Sequence, residues 1–259
     1  MFDLKDKVAL ITGASRGIGR ACALLLAEAG CDVIVNYVTS QSAAEQVAEE
    51  IIAKGRRAAI VKADVSEEED IQAMIEYIRD SFGRLDILVS NAAAGGFRPL
   101  MESTSRQFES TMNTNVRPLL HLVQAAQQLL TAGQRRGTGS RAKVVALSSH
   151  GSHMALPAYG LIGASKSALE SLVRHLALEL GPQGINFNVV LAGLVETDAT
   201  RNLPDAGKFF EIVQQRMLVG DRKLTPEEVA KAVLYLCSPL SDLIQGQTLV
   251  VDGGVGIRG

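Results

Sequence analysis

Short β-rich apolar runs alternate with helical periodicity from one end of this 259-residue chain to the other. Runs at 8–12, 33–35, 58–62, 85–90, 143–147, 185–190 and 248–251 read as strands. Between them, apolar residues recur at helical spacing. One helix runs through Ile18, Cys22, Leu25 and Leu26; others cover 43–54, 67–82 and 226–237, and a single long one covers about 105–130. Another passes through Leu169, Leu172, Val173, Leu176 and Leu180 and stops at Gly181-Pro182. Strands apolar on both faces, joined by helical crossovers, predict a parallel sheet covered on both sides. No repeat or break in composition interrupts the pattern. The expectation is one doubly wound α/β domain over residues 1–259.

Bulk composition excludes several classes. Lys and Arg number 26 against 28 Asp and Glu, a net charge of −2 that gives no reason to expect nucleic acid. Arg135, Arg136 and Arg141 fall in or beside the Gly-rich stretch 133–140 and read as a solvated loop. Cys22, Cys31 and Cys237 are an odd number without a CxxC pair, which fits packing residues in a reducing compartment. No His, Cys or carboxylate grouping has metal-ligand spacing. The N-terminus lacks a signal-peptide core, and no apolar run reaches the roughly 20 residues of a membrane span. A cytoplasmic protein with no membrane association is expected.

The segment Thr12-Gly-Ala-Ser-Arg-Gly-Ile-Gly19 closes the first strand and opens the first helix. Gly13 permits the tight turn, Gly17 lets backbone approach a ligand, and Gly19 allows close helix–strand packing. That is a dinucleotide-binding arrangement in the required strand–turn–helix setting. The second strand ends in Asn36-Tyr37-Val38-Thr39-Ser40, with no acid to hold a ribose 2′-hydroxyl. Arg16 is placed to neutralise a 2′-phosphate, and Asn36 and Ser40 to donate hydrogen bonds to it. NADPH is therefore the expected cofactor, with NADH remaining open.

Tyr159 and Lys166 stand seven positions apart, about two helical turns, so a phenol and an ammonium can face the same way. Lys166 is expected to lower the phenol's pKa. A separation of four would align the two groups equally well.

Taken together, Gly13-x3-Gly17-x-Gly19, Asn91-Ala-Ala-Ala94, Asn115, Ser148-Ser149, Lys166 and the Gly246-to-Gly254 stretch resemble the short-chain dehydrogenase/reductases. The likeness spans essentially the whole chain and implies a Rossmann-type fold with a seven-stranded parallel sheet, in a homotetramer or homodimer. It implies a catalytic set of Tyr159, Lys166, Ser149 and Asn115. It also implies a cofactor site formed by Gly13, Ser15, Arg16, Gly17, Ile18, Gly19, Asn36, Ser40, Asp64, Val65, Asn91, Ala92, Lys166, Gly193, Val195 and Thr197. Most members of that family place tyrosine four positions before lysine, where this chain has Ile162. The Tyr-x6-Lys spacing is instead similar to that of enoyl-acyl-carrier-protein reductases, and in particular their NADPH-using type III branch. Asn91-Ala-Ala-Ala-Gly-Gly-Phe-Arg-Pro, Thr111-Met-Asn-Thr-Asn115, Gly163-Ala-Ser-Lys166 and Thr197-Asp-Ala share that likeness. Thr39, where the branch carries arginine, and the histidines His150 and His153 depart from it.

The resemblance implies reduction of an enoyl thioester, with acyl carrier protein as one candidate carrier, in fatty-acid synthesis. A carbonyl or β-ketoacyl reductase, an alcohol dehydrogenase and a non-catalytic nucleotide-binding protein are the alternatives. Ser149 either orients substrate or simply ends its strand. Asn115, unfavourable on an otherwise apolar helix, points to a role such as holding a water near Lys166. His150 and His153 read as polar loop residues. The segment 194–223 is either a lid whose Leu203, Phe209, Phe210 and Met217 line an acyl site, or a core helix.

Overall fold

A computed structural model describes residues 3–135, 141–201 and 206–258. Its elements are β1 (Val8–Ile11), α1 (Gly17–Glu28), β2 (Asp32–Tyr37), α2 (Gln41–Ala53), β3 (Ala58–Lys62), α3 (Glu68–Phe82) and β4 (Ile87–Ser90). Then follow α4 (Ser105–Asn115), α5 (Arg117–Arg135), β5 (Ala142–Ser149), α6 (Gly160–Leu180), β6 (Ile185–Ala192), α7 (Asp198–Arg201), α8 (Ala206–Arg216), α9 (Pro226–Cys237) and β7 (Thr248–Val251). The seven strands form one sheet in the order β3-β2-β1-β4-β5-β6-β7, every pair parallel. The expected seven-stranded, doubly wound Rossmann-type architecture is what the chain forms.

Alternation along the strands divides the core in two. In β1, Ala9 and Ile11 pack with Cys22, Leu26, Val229 and Val233 from α1 and α9. Val8 and Leu10 face the other way, onto Ile71, Ile75 and Ile78 of α3 and Leu122 of α5. Phe187 of β6 is fully buried in this second layer, beside Leu169 and Val173 of α6. Each such side chain contributes about 1.5–3 kcal/mol by leaving water. The strand order reverses between β1 and β4, so the crevice for a ligand lies beyond the carboxyl ends of those strands.

Two expectations about the elements need correction. The single helix over 105–130 is two helices, α4 and α5, broken at Val116 (φ −116°, ψ −58°). Pro118 is the cause: in a continuous helix it would have no N–H for the Thr114 carbonyl and its ring would clash with that carbonyl, whereas it fits the first turn of a new helix. Arg141 is not a solvated loop residue. It is partly buried, with Nε on Asn186 Oδ1 at 2.8 Å and Nη2 on the Gly181 carbonyl at 2.8 Å. Residues 133–135 continue α5 rather than forming a loop; 136–140, with Arg136, lie outside the described residues, as do Leu203 and Pro204.

All three cysteines are free and buried, and burial pushes the Cys22 and Cys31 thiols up to about 12, as inert packing groups. Among the described residues no helix is long and apolar enough to cross a membrane, and no His, Cys or carboxylate group of three could hold a metal.

Candidate active site

The Gly-rich turn is built by contacts from the neighbouring strands. Gly13 holds φ +62° and Gly17 φ +56°, the left-handed region open to glycine. A methyl group on Gly19 would fall on the Gly13 carbonyl and 2.6 Å from Asn91 Nδ2, so helix and turn meet with no room for a side chain. Asn91 Nδ2 donates to the Thr12 and Gly13 carbonyls, and the Asn91 and Ala92 amides donate to Thr12 Oγ1. The Asn91 and Ala92 contacts thus go to the turn itself, which they brace.

Asn36 is corrected as a ligand for a 2′-phosphate. It is 1% exposed, its Oδ1 accepts from the Gly13 amide at 3.1 Å, and its Nδ2 donates to the Ala63 carbonyl at 2.9 Å. A side chain committed in both directions shapes the turn and has nothing to offer a phosphate. Arg16 remains exposed and, among the described residues, its guanidinium makes no hydrogen bond or ion pair, while its carbonyl accepts from the Arg20 amide. Ser40 caps the start of α2 with an unbonded hydroxyl. Lys62, which the sequence analysis does not single out, lies exposed in register with Tyr37 at the same sheet edge. Asp64 is held by Ser66, whose amide and hydroxyl both donate to Asp64 Oδ1. Ser15 and Ile18 lie half-buried in the turn, and Val65 is buried after β3.

The first turn of α1 suits an anionic ligand. No side chain caps it and no acidic residue occupies it, so its orphan N–H groups and positive dipole end stay available to a pyrophosphate. Across the turn, Thr197 lies against Gly17: a Cβ there would sit 3.5 Å from Thr197 Cγ2. Thr200 ties this segment, accepting from the Thr197 amide and donating to the Val195 carbonyl. Gly193 is crowded by Asp252 and Leu224.

Tyr159 is not inside a helix but at the cap position of α6 (φ −105°, ψ 4°). The preceding Ala158 holds φ +59°, a strained conformation for a residue with a Cβ. Its carbonyl accepts from the Arg98 amide at 2.8 Å, fixing the turn to the loop after β4. The Tyr159 ring stacks on Phe97 (centroids 5.8 Å apart, 29° between planes) and lies against Gly151, where a methyl group would strike it. Its hydroxyl is 3.0 Å from Ser149 Oγ. Ile162 is buried against Gly95 one turn further on.

The charges differ from expectation. Burial raises the Tyr159 pKa, and the Ser149 hydrogen bond opposes that rise. Lys166 does not lower it; its Nζ donates 2.8 Å to the Leu147 carbonyl inside the fold. Burial lowers the Lys166 pKa to about 8, against the opposing charge of Glu170 four residues on. Ser148 donates to Glu170 Oε1. Glu170 went unnamed in the sequence analysis because a Lys–Glu pair at i, i+4 ordinarily marks a solvated helix face.

Asn115 is buried at the end of α4. Its Oδ1 accepts from the Ala94 amide at 2.8 Å and its Nδ2 donates to Ser165 Oγ at 3.0 Å. Those bonds tie the loop after β4 to α6, so the unfavourable helical Asn is accounted for by bracing the site.

His150 is the other correction. Rather than a solvated loop residue, it is half-buried with Nε2 3.0 Å from Asp252 Oδ2. The contact is close, but its alignment falls short of a full hydrogen bond. Burial pushes the His150 pKa down, and Asp252 opposes that shift.

A family model described as Enoyl-(Acyl carrier protein) reductase matches residues 13–256. The chain is a short-chain dehydrogenase/reductase. It is 37% identical to 1-cyclohexenylcarbonyl-CoA reductase of Streptomyces collinus over 98% of this chain and 88% of that protein. A short-chain dehydrogenase from Burkholderia cenocepacia J2315, solved with NADP, superposes with a TM-score of 0.86 at 34% identity, covering 98% of this chain and 99% of that one. A 7α-hydroxysteroid dehydrogenase solved with NADH and a 7-oxo bile acid gives 0.89 at 30% identity, covering 97% and 95%.

Proposed function

We propose that this short-chain dehydrogenase/reductase reduces the double bond of an enoyl thioester with NADPH. The observation that carries the reading is the exchange of Tyr159 and Ile162. Where carbonyl-reducing members hold a phenol, a buried Ile162 cannot donate a proton, and the phenol enters instead from the cap turn of α6. The similarity to 1-cyclohexenylcarbonyl-CoA reductase of Streptomyces collinus, whose name denotes reduction of an unsaturated acyl-CoA, supports it.

The uncapped start of α1 would hold the pyrophosphate, Arg16 and Ser40 the 2′-phosphate, and the two free protons of Lys166 Nζ the nicotinamide ribose. Bound there, the nicotinamide would supply the hydride for the substrate's β-carbon. Tyr159, kept neutral by burial, donates a hydrogen bond to the thioester oxygen as negative charge develops on it. Ser149 holds the phenol in place, and the α-carbon takes its proton from Tyr159 or solvent. Lys166 keeps the local potential positive. Tyr159 and Lys166 both meet the end of β5, through Ser149 Oγ and the Leu147 carbonyl, which favours an enzyme over a non-catalytic nucleotide-binding protein.

The Tyr159–Ser149 contact at 3.0 Å favours a second reading. The tyrosine is displaced along the chain, yet its hydroxyl returns to the family serine, which also suits reduction of a carbonyl. The discriminating assay follows oxidation of NADPH, and separately NADH, with an enoyl-CoA, an enoyl-acyl-carrier-protein, a β-ketoacyl thioester and simple ketones. Turnover of the enoyl thioesters with NADPH is expected; turnover of ketones alone would establish carbonyl reduction.

The charge on Lys166 sets an expected pH dependence. Below about 8 it is an ammonium, and above that it becomes an amine. kcat/KM should therefore fall as pH rises through about 8. Glu170 is the contribution that raises the Lys166 pKa, so Glu170→Gln should move the alkaline limb to lower pH. A pH profile of the variant identical to wild type would remove Glu170 from this role.

A further inference from the structure

Helix α8 buries none of its residues, so it is not a core helix. Phe209, Ile212, Leu218 and Val219 are exposed there or just beyond it. It is held to the body largely through the C-terminal segment. Arg216 Nη2 donates to the Arg258 carbonyl, Arg258 Nη1 to the Gln215 carbonyl, and the Leu218 amide to the Gly253 carbonyl at 2.8 Å. Met217 and Leu218 pack on Gly253 and Gly254 so closely that a methyl group on either glycine would meet them.

That C-terminal segment is organised around one carboxylate. Asp252, 8% exposed, accepts from the Gly254 amide with Oδ1 and from the Gly256 amide with Oδ2, and its Cβ lies against Gly193. The side chain that reaches it from across the sheet is His150, the residue following Ser149. The strand order places β5 and β7 on either side of β6, so the pair spans the end of the strand that leads to Gly193. His150 Nε2 stands 3.0 Å from Asp252 Oδ2 without full hydrogen-bond alignment, a close contact rather than a rigid tie.

We propose that His150 is a positioning residue. Paired with Asp252, it latches the C-terminal segment, and through it the apolar helix α8, onto the turn that carries Ser149, and so sets affinity for the acyl group. The inference rests on reading α8 as the cover of an acyl site, but not on which bond is reduced.

The test uses the full chain and whichever acyl thioester or carbonyl compound the wild type turns over, so failure of the enoyl reading leaves it intact. His150→Ala is expected to raise KM for the acyl substrate about tenfold, the loss of one close side-chain contact to Asp252. KM for NADPH should stay within about twofold, since no proposed cofactor contact is touched. Trypsin should cleave at Lys208 or Arg216 several-fold faster, and His150→Gln, whose amide can donate to Asp252, should restore both values. Should His150→Ala not fold, Asp252→Asn, which removes the charge facing His150, carries the same comparison against His150→Gln. Unchanged acyl KM and cleavage would overturn the latch. Equal loss of acyl and NADPH binding with a lowered Tm would also overturn it, showing a structural role alone.

Discussion

Tyr159→Phe is expected to lower kcat by about 10²–10⁴, the usual worth of a positioned proton donor, with NADPH affinity unchanged. The geometry separates chemistry from folding at this position. The ring stays packed on Phe97 and against Gly151, and among the described residues the hydroxyl bonds only to Ser149. Removing the hydroxyl leaves a half-buried serine rather than a cavity, so stability should change by less than about 1 kcal/mol. Steady-state kinetics with a fluorescence titration of NADPH and a thermal melt would check all three values. Full activity in the variant would mean that another group meets the developing charge.

Gly19→Ala is expected to act on the cofactor and the fold together. Its methyl group falls on backbone, the Gly13 carbonyl, and lies 3.0 Å from the Ala14 Cα, so no flexible side chain can give way. Relief requires α1 to move off the turn, which separates its N–H groups from the anion they would hold. Overpacking of this kind costs about 1–3 kcal/mol. NADPH affinity should fall at least about tenfold, as 1.4 kcal/mol would give. Calorimetric titration and a melt measure the two effects, and a variant binding NADPH as tightly as wild type would mean that the cofactor does not use this turn.

The architecture was legible because its signals are local. Apolar strands, helical periodicity and the Gly13–Gly17–Gly19 turn each declare themselves within a few residues, whereas the strand order depends on long-range pairing that no single segment shows. Pro118 was visible too, but a proline in the first turn of a helix and one that breaks a helix look alike in sequence. Asn36 misled because a polar residue at a strand end suggests a ligand; only the approach of Gly13 and Ala63 shows that its amide is used internally. The charge on Tyr159 was misjudged for a related reason. Helical spacing brings Lys166 to the same face, yet the cap geometry and burial decide the outcome. His150 and Asp252 lie on different strands' ends, and nothing within either segment announces the other.

The central claim, that hydride goes to a carbon–carbon double bond, is tested most directly by tracing it. NADPH carrying transferable deuterium at C4 is incubated with wild-type protein and an equimolar mixture of an enoyl thioester and a β-ketoacyl thioester, and the products are read by mass spectrometry and NMR. The account predicts a saturated thioester with deuterium on its β-carbon and an unreacted β-ketoacyl partner. Deuterium on a carbinol carbon, with the enoyl thioester intact, would contradict it.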